Sequence, residues 1–113
     1  MIPVERDDRG DITILRVKGE LDFENTVWLR GEFHDLLKQD RIRIVLDLSE
    51  VEIISSYTVG VFVAFARELR EREGDLKFFN LRGRVLQTFR ATRIDHILQV
   101  FEEEEKALKA FES

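Results

Sequence analysis

Four consecutive residues near the middle of the chain carry hydroxyl side chains: Ser55, Ser56, Tyr57 and Thr58. They follow an apolar segment and open a helical pattern, so we expect them at a helix N-terminus beyond the end of a strand. Such a position offers unpaired backbone N–H groups and positive potential, and α/β sheets carry recognition surfaces there. A phosphate would place about two negative charges on this surface. The alternative interpretation is ordinary N-capping by Ser55 or Ser56.

Other patterns that carry chemistry are missing from the sequence. The two histidines, His34 and His96, lack metal-ligand spacing, and we interpret both as surface or boundary residues. The chain has no cysteine, which excludes disulfides, thiolate catalysis and Cys-based metal sites. It contains neither a Gly-x-Ser-x-Gly elbow nor a glycine-rich phosphate loop. We therefore expect no enzymatic activity, no cofactor and no metal ion.

The size and charge of the chain limit its partners. Its 113 residues, 43% of them apolar, predict a single domain over residues 1–113. A net charge of -5 repels nucleic acid and suits a basic partner. No apolar run approaches the about 20 residues that span a bilayer. The N-terminus also lacks a signal-peptide pattern, so we expect a cytoplasmic protein without direct membrane insertion.

A late basic stretch interleaved with aromatic residues offers an RNA-binding alternative, which requires exposed aromatic side chains. The strand and helix spacing of these aromatic residues favours the core instead, so we expect no nucleic-acid partner. The stretch consists of Lys77, Phe78, Phe79, Arg82, Arg84, Phe89, Arg90 and Arg93.

Apolar periodicity predicts the elements that position the hydroxyl segment. Strands are predicted at 2–5, 12–17 (ended by Gly19), 42–48, 76–80 and 99–101, with a loop at 49–54. Helices are predicted from Asp22 or Asn25 to residue 38, from Ser55 or Ser56 to about Arg72 with Gly74 as the C′ residue, at 84–92 and at 102–111. This order predicts an α/β fold with a mostly parallel sheet and an antiparallel hairpin at one side.

The apolar spacing also predicts which helix faces are buried. For the first helix the predicted face consists of Val27, Leu29, Phe33, Leu36 and Leu37, with Trp28 on or beside it. For the second helix it consists of Val59, Val63 (or Phe62), Ala66 and Leu69.

Three segments form an ordered set along the chain: VKGELDF at 17–23, IVLDLSEV at 44–51 and ISSYTVGV at 54–61. They resemble the Gly-x-Leu-Asp element, the central strand with its following loop, and the Asp-Ser-Ser/Thr-Gly-Leu-Gly segment of STAS domains, the anti-sigma factor antagonist family. Residues 76–101 are similar to the closing strand, helix and turn of that family. The resemblance implies a STAS-like fold, a small mixed sheet of four to five strands with about four helices packed beside it.

The resemblance also implies a function. Family members bind an anti-sigma factor, often a serine kinase, and so release a sigma factor, which regulates transcription by partner switching. The kinase phosphorylates a Ser or Thr in the third segment, and the antagonist then dissociates. The resemblance also allows the protein to form a homodimer. The implied partner-binding residues are Asp22, Asp47, Ser49, Ser55, Ser56, Tyr57, Thr58 and Gly60.

The hydroxyl segment departs from the family pattern. With Val59–Gly60 aligned, Ser55 takes the place of the family's Asp and Ser56 that of its first Ser. Tyr57 takes the place of the usual phosphoacceptor, and Thr58 replaces a small Gly. A serine kinase is poorly suited to tyrosine, because the phenol oxygen lies further from the backbone.

Three interpretations follow from this departure. In the first, Ser56 is phosphorylated in place of Tyr57. In the second, the protein binds its partner constitutively without a phosphoswitch, and in the third it belongs to a divergent branch with another partner. We rank Ser56 first as phosphoacceptor, before Tyr57, Ser55 and Thr58. The alternative function is a scaffold or accessory subunit of a signalling assembly or a lipid-transport complex.

Overall fold

A computed structural model describes residues 2–112 and places a five-stranded sheet at their centre. The strands are β1 Val4–Arg9, β2 Ile12–Leu21, β3 Arg43–Ile54, β4 Asp75–Phe79 and β5 Gln99–Phe101. The helices are α1 Phe23–Lys38, α2 Ser56–Glu71, α3 Gly83–Ala91 and α4 Glu104–Lys109, with a 3₁₀ turn at Ile94–His96. Strand order follows the chain, β1-β2-β3-β4-β5, and only the β1–β2 pairing is antiparallel. The predicted α/β fold with an antiparallel hairpin at one side is confirmed.

The helices divide between the two faces of the sheet. Strand side chains alternate between faces, so Leu46 contributes to a large core with α1, α2 and α3, whereas Val45 contributes to a smaller core with α4. Both side chains are fully buried, which confirms that β3 is covered on both faces. The aromatic residues considered for RNA stacking, Phe78, Phe79 and Phe89, are also buried, as the core interpretation predicted.

The predicted loop at 49–54 is wrong, because β3 continues to Ile54. Its second half pairs in parallel with the end of β2, through partners that include Gly19↔Val51 and Leu21↔Ile54. The prediction that Gly19 ends β2 is wrong as well. Gly19 has a φ of 104° and lies at an irregularity in the register, so it bends the strand without ending it.

The bounds of the outer elements also shift. β1 covers Val4–Arg9 where residues 2–5 were predicted, because pairing with β2 orders a charged segment that lacks an apolar pattern. The last helix covers only Glu104–Lys109 within the predicted 102–111.

The buried helix faces differ from prediction at specific positions. On α1, Leu29, Phe33, Leu36 and Leu37 are buried as predicted, whereas Val27 is 46% exposed and Thr26 beside it is fully buried in its place. On α2, Phe62 is buried and Val59 and Val63 are only partly buried, which favours Phe62 over Val63 as the buried residue of that turn.

The end of α2 is a Schellman motif, in which backbone N–H groups just past the helix bond carbonyls of its last turn. Glu73 donates to the Arg70 carbonyl at 3.1 Å, and Gly74 donates to the Leu69 carbonyl at 2.8 Å. Glu73 takes the left-handed C′ conformation with a φ of 67°, so assigning C′ to Gly74 was wrong by one residue. Gly74 is required for another reason: a Cβ there would lie 2.0 Å from the carbonyl oxygen of Ile42.

Replacing Gly74 with alanine therefore forces the α2–β4 connection away from Ile42, the residue before β3. We expect Gly74→Ala to lower the free energy of unfolding by roughly 1–3 kcal/mol, as for other overpacked sites. Gly31→Ala is the matched control, because a Cβ there meets nothing within 4 Å and helix propensity favours alanine by roughly 0.5–1 kcal/mol. Urea denaturation of both variants measures the difference, and equal stability would contradict the close approach.

Candidate functional site

The N-termini of α1 and α2 lie side by side at one edge of the sheet. Asp22 follows the last residue of β2 and Ser55 follows the last residue of β3, and these strands are parallel neighbours. The Ser55 backbone N–H donates to the Leu21 carbonyl at 3.0 Å, which joins the two strand ends. Segments 33 residues apart in sequence are thereby brought together.

Each helix is capped by the residue at its strand end. The Asp22 carboxylate accepts a hydrogen bond from the Asn25 backbone N–H at 2.9 Å, so Asp22 rather than Asn25 is the N-cap of α1. Ser55 caps α2, with its Oγ accepting from the Thr58 N–H at 3.2 Å. The Thr58 hydroxyl in turn accepts from the Ser55 N–H at 3.2 Å, which completes a reciprocal capping box.

Thr58 is the centre of a buried hydroxyl network. Its Oγ1 donates to the Leu21 carbonyl at 2.9 Å, and it lies 2.8 Å from the hydroxyls of both Ser55 and Thr26. The Thr26 hydroxyl also donates to the Asp22 carbonyl at 2.6 Å. Because Thr26 and Thr58 are both 0% exposed, a kinase or partner cannot reach Thr58. Burial therefore contradicts its prediction as a phosphoacceptor and partner contact.

Ser56 and Tyr57 are placed differently from Thr58. Ser56 is exposed in the first turn of α2. The Tyr57 ring packs against the Phe23 ring, with centroids 4.7 Å apart and planes tilted by 35°. Arg30 Nη1 donates to the Tyr57 hydroxyl at 3.3 Å. Tyr57 is therefore held by α1, and Phe23 and Arg30 join the site although sequence reasoning did not select them.

Asp47 and Ser49 lie apart from the two helix starts. Ser49 is in β3, six residues before Ser55, which corresponds to roughly 20 Å along an extended strand. Asp47 accepts from Arg16 at 3.2 Å and from the Ser49 N–H at 3.0 Å, and its side chain is 13% exposed. Asp47 is thus already paired within the fold, and its role as a partner contact stays a prediction.

Arg16 connects Asp47 to the strand and helix on either side. It forms ion pairs with Asp7 of β1 at 3.3 Å and with Glu104 of α4 at 2.8 Å. Hydrogen bonds from Arg9, which has the larger effect, and from Arg16 hold the pKa of Asp7 below its usual value of 3.8. This network links α4 to β1 and β2, beside the buried contact of Ala107 with the sheet.

Gly60 lies on the exposed side of α2, along a groove between α1 and α2. A Cβ added at Gly60 would meet nothing within 4 Å, so the surface is open there. The groove has a volume of about 590 Å³. Its lining includes Arg30, Phe33, His34, Tyr57, Gly60, Val61, Ala64, Phe65 and Glu68.

Neither a metal-binding cluster nor a membrane-spanning helix is found in residues 2–112. Nowhere in this range do three or more His, Cys, Asp or Glu side chains come together in a way that could hold a metal ion. No helix in the same range has the length and apolar character needed to cross a membrane.

Comparison with known proteins identifies the arrangement. The STAS domain family matches residues 3–107. The chain belongs to the STAS domain family. This STAS domain is 28% identical over 99 residues to the anti-sigma-B factor antagonist of Listeria monocytogenes, covering 88% of this chain and 86% of the relative.

Solved structures show the same fold at lower identity. An anti-sigma factor antagonist from Mycobacterium paratuberculosis superposes with a TM-score of 0.88 at 21% identity, covering 100% of this STAS domain and 96% of the other chain. The anti-sigma factor antagonist SpoIIAA in its unphosphorylated form superposes with a TM-score of 0.83 at 19% identity, covering 97% and 96%. These matches confirm the STAS-like mixed sheet with its helices.

The buried hydroxyl of Thr58 provides a test of how this STAS domain holds its two helix starts. Thr58→Val keeps the side-chain shape but leaves the Leu21 carbonyl and the Thr26 hydroxyl with one partner fewer. We expect the free energy of unfolding to fall by roughly 1–3 kcal/mol.

The matched control is Ser56→Ala, an exposed change two residues away in the same turn, which we expect to stay within about 0.5 kcal/mol of the parent. Both values come from urea denaturation. A Thr58→Val protein as stable as the control would contradict the role of the network.

Proposed function

We propose that this STAS domain, over residues 1–113, is an anti-sigma factor antagonist. It binds an anti-sigma factor and so releases a sigma factor, which regulates transcription by partner switching in the cytoplasm. The observation that carries the proposal is the STAS match over residues 3–107, together with a relative named as an antagonist that aligns over 88% of this chain. On this proposal the chain is a regulatory binding protein and not an enzyme.

The proposed contact surface is the pair of adjacent helix starts. Asp22, Ser56 and Gly60 are exposed there, and Tyr57 is partly exposed. Ser55 and the buried Thr58 hold these residues in place through the capping box. Because the helix starts are tied to each other and to the strand ends, the surface is ordered before a partner arrives, which lowers the entropic cost of binding.

We further propose that the anti-sigma factor is a serine kinase and that Ser56 is its phosphoacceptor. Ser56 is exposed at the first position of α2, where the positive end of the helix favours an added phosphate. One structural relative, SpoIIAA, has itself been solved in a phosphorylated form. This supports the idea that the fold accommodates phosphate.

One observation favours binding without a phosphoswitch, in the manner of a scaffold or accessory subunit. The aligned acceptor position holds Tyr57, whose ring and hydroxyl are both engaged by α1. Neighbouring genes separate the two functions, since kinase and phosphatase genes favour the antagonist and transporter genes favour the accessory subunit.

The antagonist proposal predicts direct binding. Isothermal titration of the purified protein against the anti-sigma factors of the same genome should give a dissociation constant of about 1 μM or tighter for one of them. Gly60→Arg, which projects a long side chain from the open surface of α2, should weaken this binding at least about tenfold. The control is Ala91→Arg, on the exposed end of α3. If none of the anti-sigma factors binds, the proposal is wrong.

The phosphoswitch makes a separate prediction. After incubation with the partner and ATP, mass spectrometry should find phosphate on Ser56, and Ser56→Ala should abolish it, because the other serine of the segment is the helix cap. Tyr57→Phe is the control and should remain phosphorylated. Phosphate confined to residues outside 55–58, or none, would reject the switch while leaving the binding function standing.

A further inference from the structure

Exposed apolar side chains are concentrated beside the proposed contact surface. Three large apolar residues in the range 2–112 are classed as exposed: Phe23 at 62%, Val27 at 46% and Ile97 at 46%. Phe23 and Val27 are one turn apart on α1 and so lie on the same side of that helix. These two apolar side chains do not contribute to the core of the fold. An exposed apolar pair of this kind is typical of a binding surface.

The Phe23 ring is already held in place. It packs against the Tyr57 ring, with the two ring centroids 4.7 Å apart. Arg30, which lies seven residues after Phe23 on α1, donates a hydrogen bond to the Tyr57 hydroxyl. Aromatic residues and arginine are the types that most often dominate binding energy at protein interfaces. Because the ring pair is packed before binding, it has little side-chain freedom left to lose.

Carboxylates outnumber basic side chains next to this apolar group. The ends of β2 and β3 and the start of α1 carry four exposed carboxylates, Glu20, Asp22, Glu24 and Glu52. Arg30, which donates to the Tyr57 hydroxyl, contributes one positive charge. The net negative potential attracts a basic surface and repels an acidic one.

We infer that Phe23, Val27 and Tyr57 form an apolar anchor site for a large apolar side chain that a protein partner presents from a basic surface. The inference rests on the proposed function, and it assigns this chemistry to the contact face of the anti-sigma factor. The acidic residues promote encounter, whereas the anchor site determines how long the complex lasts.

Surface plasmon resonance against the anti-sigma factor that binds the parent protein tests the anchor site. Phe23→Ser should weaken binding by roughly 30-fold, mainly through faster dissociation. Ile97→Ser is the matched control, because it removes an exposed apolar side chain outside this surface, and it should bind like the parent. Thermal denaturation of both variants checks that they are folded.

A second set of variants tests the charge. The triple variant Glu20→Gln, Glu24→Gln and Glu52→Gln should slow association and flatten its dependence on salt, with little change in dissociation rate. Its control neutralises three exposed glutamates elsewhere, Glu5, Glu102 and Glu105. An unchanged salt dependence in the first triple variant would overturn the basic partner surface.

The outcomes separate this inference from the proposed function. If no anti-sigma factor binds the parent protein, the proposed function fails and the anchor site fails with it. If one binds and Phe23→Ser binds equally well, the anchor site is wrong and the function stands. If light scattering instead shows a dimer of the parent protein that Phe23→Ser dissociates, while partner binding is unaffected, the occupant is a second copy and the inference is overturned.

Discussion

The hydroxyl of Thr58 fixes the relative position of three elements. It bonds the last carbonyl of β2, lies beside the Thr26 hydroxyl of α1, and forms half of the capping box of α2. The Thr26 and Thr58 side chains are fully buried, so separating α1, α2 and β2 at this point would leave a buried polar group without its partner, at a cost of roughly 1–3 kcal/mol. The two helix starts therefore behave as one rigid unit, and the outer surface that they present is defined by this inner contact.

The sequence pattern was sufficient for the elements whose order is encoded locally. The α/β order and the burial of β3 on both faces follow from apolar spacing. Capping residues narrowed the helix starts to Asp22 or Asn25 and to Ser55 or Ser56, and the structure selects Asp22 and Ser55. The second half of β3 could not be predicted in this way, because 49–54 becomes a strand through pairing with the end of β2, which lies about 30 residues earlier. The αL residue was misplaced for a similar reason, since Gly74 is needed for its approach to Ile42 and not for its φ.

The same distinction applies to the candidate site. Local reasoning selected Ser55, Ser56 and Tyr57 because they stand at a predicted helix start, and the family resemblance added Asp22. It wrongly assigned Thr58 to the surface, because a threonine in a capping box looks the same in sequence whether its hydroxyl faces water or a neighbouring helix. Phe23 was not selected because an apolar residue in the first turn of a helix normally indicates burial, and only the structure shows that it is 62% exposed.

The two edge strands of the sheet limit the ways in which a partner can bind. The edge strand β1 is rich in charge and carries the ion pairs Arg6–Asp8 and Arg9–Asp7. The other edge strand, β5, has only three residues. Neither offers a long apolar strand to which another chain could add by β-augmentation. The proposed contact surface uses side chains at helix starts instead, and exposed helix positions can change while the backbone pairing of the sheet stays intact. Related chains could in this way acquire different partners without losing a common framework.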